Sequence, residues 1–383
     1  MHVAINAQLL SPAAGYRGAG VSTYSRRLLT ALGAEVLGKP GAPRLTAFVH
    51  DREFAAPGVT LRQGPDWLEN PTLRILWEQT ALPSAVTGMR VDLVHGLVNV
   101  LPLMTRVAGV VTVHDLSFLR LPDLFPPLKR AYLTALTRAS VGRAAQVITV
   151  SWQTAADVKQ YFDKDPDRVT VVHNGVDGRF APGTPEAIAA FRHRKRLPDR
   201  YWFYLGTLEP RKNLELLLDA FATWQTVAGD QEVRLVVAGG KGWYYDTIFA
   251  KVAECGIEGS VIFPGYVPDE ELPDWYRGAE LFIYPSRFEG FGMPVLEAMA
   301  CGTPVVCSAA PGVAEVAGDA AVQVPADDIA AWVAALDDLA RQPEQRAALA
   351  AVGPKRAGMF TWQAAAAATL TVYERVLKRR RRR

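Results

Sequence analysis

A chain of 383 residues is longer than one ordinary hydrophobic core, so two domains are expected. With 49% hydrophobic and 21% charged residues it reads as a well-packed soluble protein, and no stretch approaches the roughly 20 unbroken apolar residues of a membrane-spanning helix. Removing the six basic residues Lys378 to Arg383 takes the net charge from +3 to −3, so the basic character is a tail and the body does not look like a nucleic-acid-binding domain.

From the start, MHVAINAQLL reads as a first strand and lacks the charged flank of a signal peptide. Strand-like runs follow in order: HVAIN, LTAFVH, VDLVHGL, GVVTVHDL, AQVITVS and RVTVVHNGV, then YWFYLGTL, VRLVVAGG, SVIFPGYV, ELFIYPS and TPVVCSAA. Several are nearly continuous apolar runs, as in parallel strands buried on both faces. Amphipathic segments such as VSTYSRRLLTAL, PLKRAYLTALTRAS and NLELLLDAFATW alternate with them, which predicts doubly wound parallel α/β sheets. The alternation breaks once, between Gly178 and Pro198, and the junction is placed there: a first domain over 1–180, a linker over 181–200, a second domain over 201–360, and a final helix with the basic tail over 361–383. Two such domains would oppose the carboxyl ends of their sheets across a central cleft, the usual ligand position in open α/β sheets. The cysteines Cys255, Cys301 and Cys307 show no C-x-x-C spacing, which argues against a disulfide framework or zinc site and suits a reducing cytoplasm.

Chemistry concentrates in a few loops. The loop SPAAGYRGAGVSTYS, with Gly15, Gly18 and Gly20, could let backbone approach a phosphate or an acceptor, although it does not fit the dinucleotide fingerprint. His114 and Asp115 end the strand GVVTVHDL, where a histidine can reach a ligand; the competing reading is a buried ring satisfied by a backbone carbonyl. Asp163-Lys164-Asp165 spells a D-x-D metal string, but within the charged turn YFDKDPDRV its aspartates read as turn formers, and no metal site is expected. In GTLEPRKNL, Gly206 follows a strand, and Arg211 and Lys212 are expected to begin the next helix, a position unfavourable for cations unless an anion binds beside them. In PSRFEGFGMPVLEAMACGTPVV, Pro294 marks a helix start. Phe291, Gly292 and Met293 then form a turn whose N–H groups suit a phosphate, with Glu289 before the turn and Glu297 about one helical turn beyond it. One carboxylate would face a sugar hydroxyl and the other a ribose.

This last string resembles the E-x7-E signature of retaining glycosyltransferases of family 4, with the flanking S-x-x-E-G-F-G-x-P and E-A-x-A-x-G-x-P-V elements. The resemblance implies the GT-B fold, two Rossmann-like domains facing a cleft. It makes Glu289, Arg211, Lys212 and His114 catalytic, and it places Gly18, Gly20, Gly206, Lys241, Val267, Phe291, Gly292, Met293 and Glu297 around a nucleotide-sugar donor. The family often has arginine directly after the first glycine of the second domain; here that position is Thr207, and Arg211 takes its place, as in the mannosyltransferase-like branch. HNGVD, with His173, Asn174 and Asp177, resembles the family's P-N-G-V-D and reads as a hinge. The segment LRILWEQTALP, Leu73 to Pro83, resembles a feature of mannosyltransferases that build O-antigen and exopolysaccharide, which favours GDP-mannose over a UDP-sugar.

The implied activity is metal-independent, front-face transfer of a hexose with retention to a saccharide or lipid-linked acceptor. No cofactor is expected beyond the donor, which is a substrate. Alternatives are a sugar-nucleotide 2-epimerase of the same fold, a UDP-sugar transferase acting on a soluble acceptor, and a silent scaffold. The expected setting is cytoplasmic, with peripheral attachment to anionic membrane through Lys378 to Arg383 and through Lys129, Arg130, Arg138 and Arg143.

Overall fold

The computed structural model describes residues 1–10, 19–240, 242 and 245–381. The chain divides at 175–176 and again at 360–361 into two compact units, the first holding the amino-terminal half and the carboxyl-terminal helix Trp362–Arg381, the second Val176–Phe360. The segment read as a linker, 181–200, is part of the second unit: Thr184 caps a helix over Pro185–Lys195, which packs on the helix Leu272–Gly278. The final helix returns to the first unit instead of standing apart.

Each unit is built on one all-parallel sheet. The first comprises β1 (His2–Ala7), β2 (Arg44–Val49), β3 (Val59–Gln63), β4 (Leu93–Gly96), β5 (Ala108–Val113), β6 (Gln146–Thr149) and β7 (Val169–Val171), in the order β3-β2-β1-β4-β5-β6-β7. The second comprises β8 (Tyr201–Leu205), β9 (Arg234–Ala238), β10 (Val261–Gly265), β11 (Leu281–Tyr284), β12 (Val305–Ser308) and β13 (Val322–Val324), in the order β10-β9-β8-β11-β12-β13. Central strands are buried on both faces, as the apolar runs require. In each order the winding reverses once, between β1 and β4 and between β8 and β11. At such a switch point adjacent crossovers leave toward opposite sides and open a crevice at the strands' carboxyl ends.

Candidate active site

In the second unit, the loops that leave β8 and β11 meet at this switch point. Gly206 follows β8 and Gly239 follows β9; a Cβ on Gly239, at φ +142°, would lie 1.9 Å from the Gly206 carbonyl oxygen, so the two loops approach closely only because Gly239 lacks a side chain. Arg211 and Lys212 do not begin a helix. Pro210–Lys212 form a 3₁₀ turn, Asn213 takes the left-handed conformation at φ +60°, and the helix starts only at Leu214. Asparagine tolerates that conformation, and its side chain ties the break to the carbonyls of Pro285 and Ala326. Lys212 is consequently a buried residue of the turn, away from the dipole argument that its sequence position invited.

Its partner is Glu289. Lys212 Nζ donates to Glu289 Oε1 at 2.6 Å and Arg211 Nη1 to Oε2 at 2.9 Å. Ser286 Oγ and the Tyr284 hydroxyl donate to Oε1 at 2.6 and 2.9 Å, and Lys212 also donates to the Tyr284 oxygen at 2.8 Å. Arg211 further holds Glu209 Oε1 and the Phe288 carbonyl. Two cations and two carboxylates are thus gathered in a largely buried cluster, with side-chain exposures between 4% and 13%. Burial alone would push the Glu289 carboxyl up, but the charges of Arg211 and Lys212 and the hydrogen bonds from Lys212 and Ser286 outweigh it and hold the pKa at about 2. Glu289 is therefore ionised at neutral pH, and it occupies both cations that a phosphate would need. Glu209, Tyr284 and Ser286 were not singled out from sequence although they lie inside the quoted strings; only the β8–β11 pairing shows that they share one site.

Gly292 caps the helix Met293–Ala300 at φ +94°, with Pro294 in its first turn and no side-chain cap among the described residues. The turn Phe291–Met293 therefore leads into this helix as expected, and Phe291 packs edge-on against Phe360. Gly312 brings the neighbouring helix Pro311–Ala317 against the site: a Cβ there would lie 2.1 Å from the Glu289 carbonyl oxygen. Glu297 is buried in the Met293–Ala300 helix and accepts from the Tyr276 hydroxyl at 2.9 Å. Val267 is buried just beyond β10. Lys241 and Gly18 lie outside the described residues.

In the first unit, Gly20 lies in the first turn of the helix Ala19–Val36, where a Cβ would meet nothing within 4 Å. His114, just past β5, is half-buried. Its Nε2 lies 2.9 Å from the Leu97 carbonyl, its backbone N–H donates to Asn99 Oδ1 at 3.2 Å, and Tyr24 packs edge-on at 4.4 Å. The Leu97 bond fixes the proton on Nε2 and leaves Nδ1 as an acceptor. Burial lowers its pKa, opposed by the Leu97 bond and Asp115, so the ring is neutral. Asp115 turns away to accept from the Ser117 backbone and hydroxyl. Asp163 ends the helix Trp152–Phe162 in the left-handed conformation, and Asp165 caps the following 3₁₀ turn. Beside the division at 175–176, a Cβ on Gly175 would lie 2.1 Å from the Trp362 nitrogen, and Val176 N–H donates to the Phe360 carbonyl.

Two units, each built on one Rossmann-like parallel sheet, are the architecture of the GT-B class of glycosyltransferases. The model for "Glycosyltransferase Family 4" matches residues 19–179 and that for "Glycosyl transferases group 1" residues 186–356. The chain is 32% identical to the O-antigen chain mannosyltransferase B of Escherichia coli over 269 residues, 70% of each protein. It is 38% identical to a D-inositol 3-phosphate glycosyltransferase of Frankia alni, over 56% of this chain and 55% of that one, so it spans about half the length of that relative. Among solved structures it is similar to a sucrose-phosphate synthase from Thermosynechococcus elongatus, with a TM-score of 0.81 over 99% of both chains at 21% identity. It is also similar to WaaG, a glycosyltransferase involved in lipopolysaccharide biosynthesis, with a TM-score of 0.76 over 97% of this chain and 99% of that one at 17% identity. The chain belongs to glycosyltransferase family 4.

Proposed function

We propose that the chain transfers mannose from GDP-mannose, with retention and without a metal ion, to a saccharide or lipid-linked acceptor. The observation that carries the chemistry is the Arg211–Lys212–Glu289 cluster. A departing nucleoside diphosphate gains negative charge, and Arg211 and Lys212 are the cations placed to receive it in a site where burial strengthens each interaction. To do so they must be shared with, or released by, Glu289. That carboxylate, held by Tyr284 and Ser286, then keeps the cations in place and is itself available to a sugar hydroxyl. The turn Phe291–Met293 and the start of its helix, which among the described residues no side chain caps, suit a phosphate, Glu297 a ribose, and Gly206, Val267 and Lys241 border the nucleotide. Neutral His114 offers Nδ1 to the transferred sugar or the acceptor. In the front-face route the leaving phosphate itself takes the acceptor's proton.

The similarity to an O-antigen mannosyltransferase over 70% of both chains supports mannose. A second reading is a UDP-sugar donor with a soluble acceptor, and the inositol-phosphate relatives favour a phosphorylated polyol as that acceptor. Titration of the protein in EDTA with GDP-mannose, GDP, UDP-glucose and UDP separates the two. Binding of GDP-mannose, with slow hydrolysis releasing the α-anomer, is expected. Exclusive binding of the uridine nucleotides would overturn the donor, and release of the β-anomer would overturn retention.

A further inference from the structure

The first unit holds a second set of buried polar side chains that the donor chemistry leaves unused. The register pairs Ala7 with Val49 and Val49 with Gln63, so the residues that follow, Gln8, His50 and Gly64, stand side by side beyond the carboxyl ends of β1, β2 and β3. Gln8 is 4% exposed, and among the described residues neither its amide oxygen nor its amide nitrogen has a hydrogen-bond partner. A Cβ on Gly64 would lie 2.9 Å from both atoms, so this glycine is what leaves the amide its room. The buried Nδ1 of His50 is equally without a partner, and its Nε2 is 3.4 Å from the Glu69 carboxylate. Two residues before Gln8, buried Asn6 donates its amide to Glu78 Oε1 at 3.1 Å. Glu78 reaches this edge from the helix Pro71–Gln79, within the tryptophan–glutamate–glutamine string of Leu73 to Pro83.

A buried polar group left unpaired has lost its bonds to water and gained none in return. Folded chains rarely leave several together unless water or a ligand supplies the missing bonds. The chemistry of the set narrows the ligand. Amide, carboxylate and imidazole give both donors and acceptors, as hydroxyl groups require. Arg26 and Arg52 at the same edge are paired with Asp51 and Asp66, and Asn6, Gln8 and Glu78 include no cationic side chain, so the set is poorly suited to a phosphate. We propose that Asn6, Gln8 and Glu78 form a binding site for the hydroxyls of a neutral saccharide, the acceptor of the reaction. The assignment rests on the transferase reading above, and it takes a neutral sugar over a phosphorylated polyol.

The full chain is titrated with methyl α-D-mannopyranoside, with myo-inositol 1-phosphate and, separately, with GDP. Methyl mannoside binds the wild type and inositol phosphate does not. Gln8→Leu and Glu78→Gln each raise the methyl mannoside Kd at least tenfold and leave the GDP Kd within twofold. Gln8→Leu melts no lower than the wild type, since two unpaired polar atoms leave the interior; should it fail to fold, Glu78→Gln carries the measurement. Unchanged methyl mannoside affinity in the folded variants, no binding by the wild type, or preference for inositol phosphate overturns the site. Failure of the wild type to bind GDP strikes the donor reading alone, because the saccharide titration decides this site either way.

Discussion

Replacing Glu289 by glutamine keeps the shape of the side chain and removes its charge, leaving Arg211 and Lys212 buried against a neutral amide. Two routes give the size of the loss. Removing one partner of a buried ion pair costs ~3–5 kcal/mol. Independently, a carboxyl held at about 2 in the fold against an ordinary value of 4.5 contributes about 3 kcal/mol of stability at neutral pH. For a unit of this size that is a fall in Tm of about 6–12 °C. The pH dependence follows from the sign. The folded pKa lies below the unfolded one, so the stabilisation is complete above pH 4.5 and is lost as pH falls through 2. Scanning calorimetry of wild type and Glu289→Gln should show a constant gap from pH 8 to about 5, shrinking below about 4.5. A gap under 1 °C at pH 7, or one indifferent to acid, would refute the cluster as an energetically coupled unit.

Lys212→Ala should lower kcat about 10²–10³-fold, the effect of removing one preorganised electrostatic donor, and weaken GDP binding; unchanged turnover and affinity would take Lys212 out of the mechanism. Transfer should persist in EDTA. Strict dependence on manganese or magnesium, abolished by Asp163→Ala, would instead make the D-x-D string a metal site despite its place at a helix end. Vesicles containing anionic lipid should bind the protein at low salt, less so after deletion of Lys378 to Arg383. Leu128 and Tyr132 are exposed beside Lys129 and Arg130, whereas Arg143 turns inward to the Thr105 and Val107 carbonyls, so cosedimentation that fails at low salt would count against peripheral attachment.

The sheets are legible where strands are buried on both faces, because such strands are mostly apolar runs. The strands that escaped, β3 and β13, are terminal in their sheets: β3 alternates polar and apolar residues with only partial burial, and β13 has three residues. The boundary was placed late because prolines and charges near 181–200 imitate a linker. In the structure Pro185 opens a helix, and the buried Phe191 anchors that helix to Trp275. The final helix could not be assigned to the first unit from its own residues, since that placement depends on long-range bonds such as His95 to Tyr373 at 2.7 Å.

The two polar sites differ in legibility for a physical reason. The Arg211–Lys212–Glu289 cluster draws its groups from two short strings, each at the carboxyl end of one strand, and β8 and β11 are sheet neighbours. Local spacing therefore conveys most of its geometry, and only the direction of each side chain is lost. That loss still mattered: a left-handed Asn213 turned Lys212 from a helix-end cation into a buried partner of Glu289. The set around Gln8 has no such locality. Asn6 and Glu78 stand 72 residues apart, and Gln8 and Gly64 approach only because β1, β2 and β3 pair without a slip. A shift of one residue in either pairing would turn alternate side chains to the other face and disperse the set. Its position is thus a property of register, which no residue in it encodes alone.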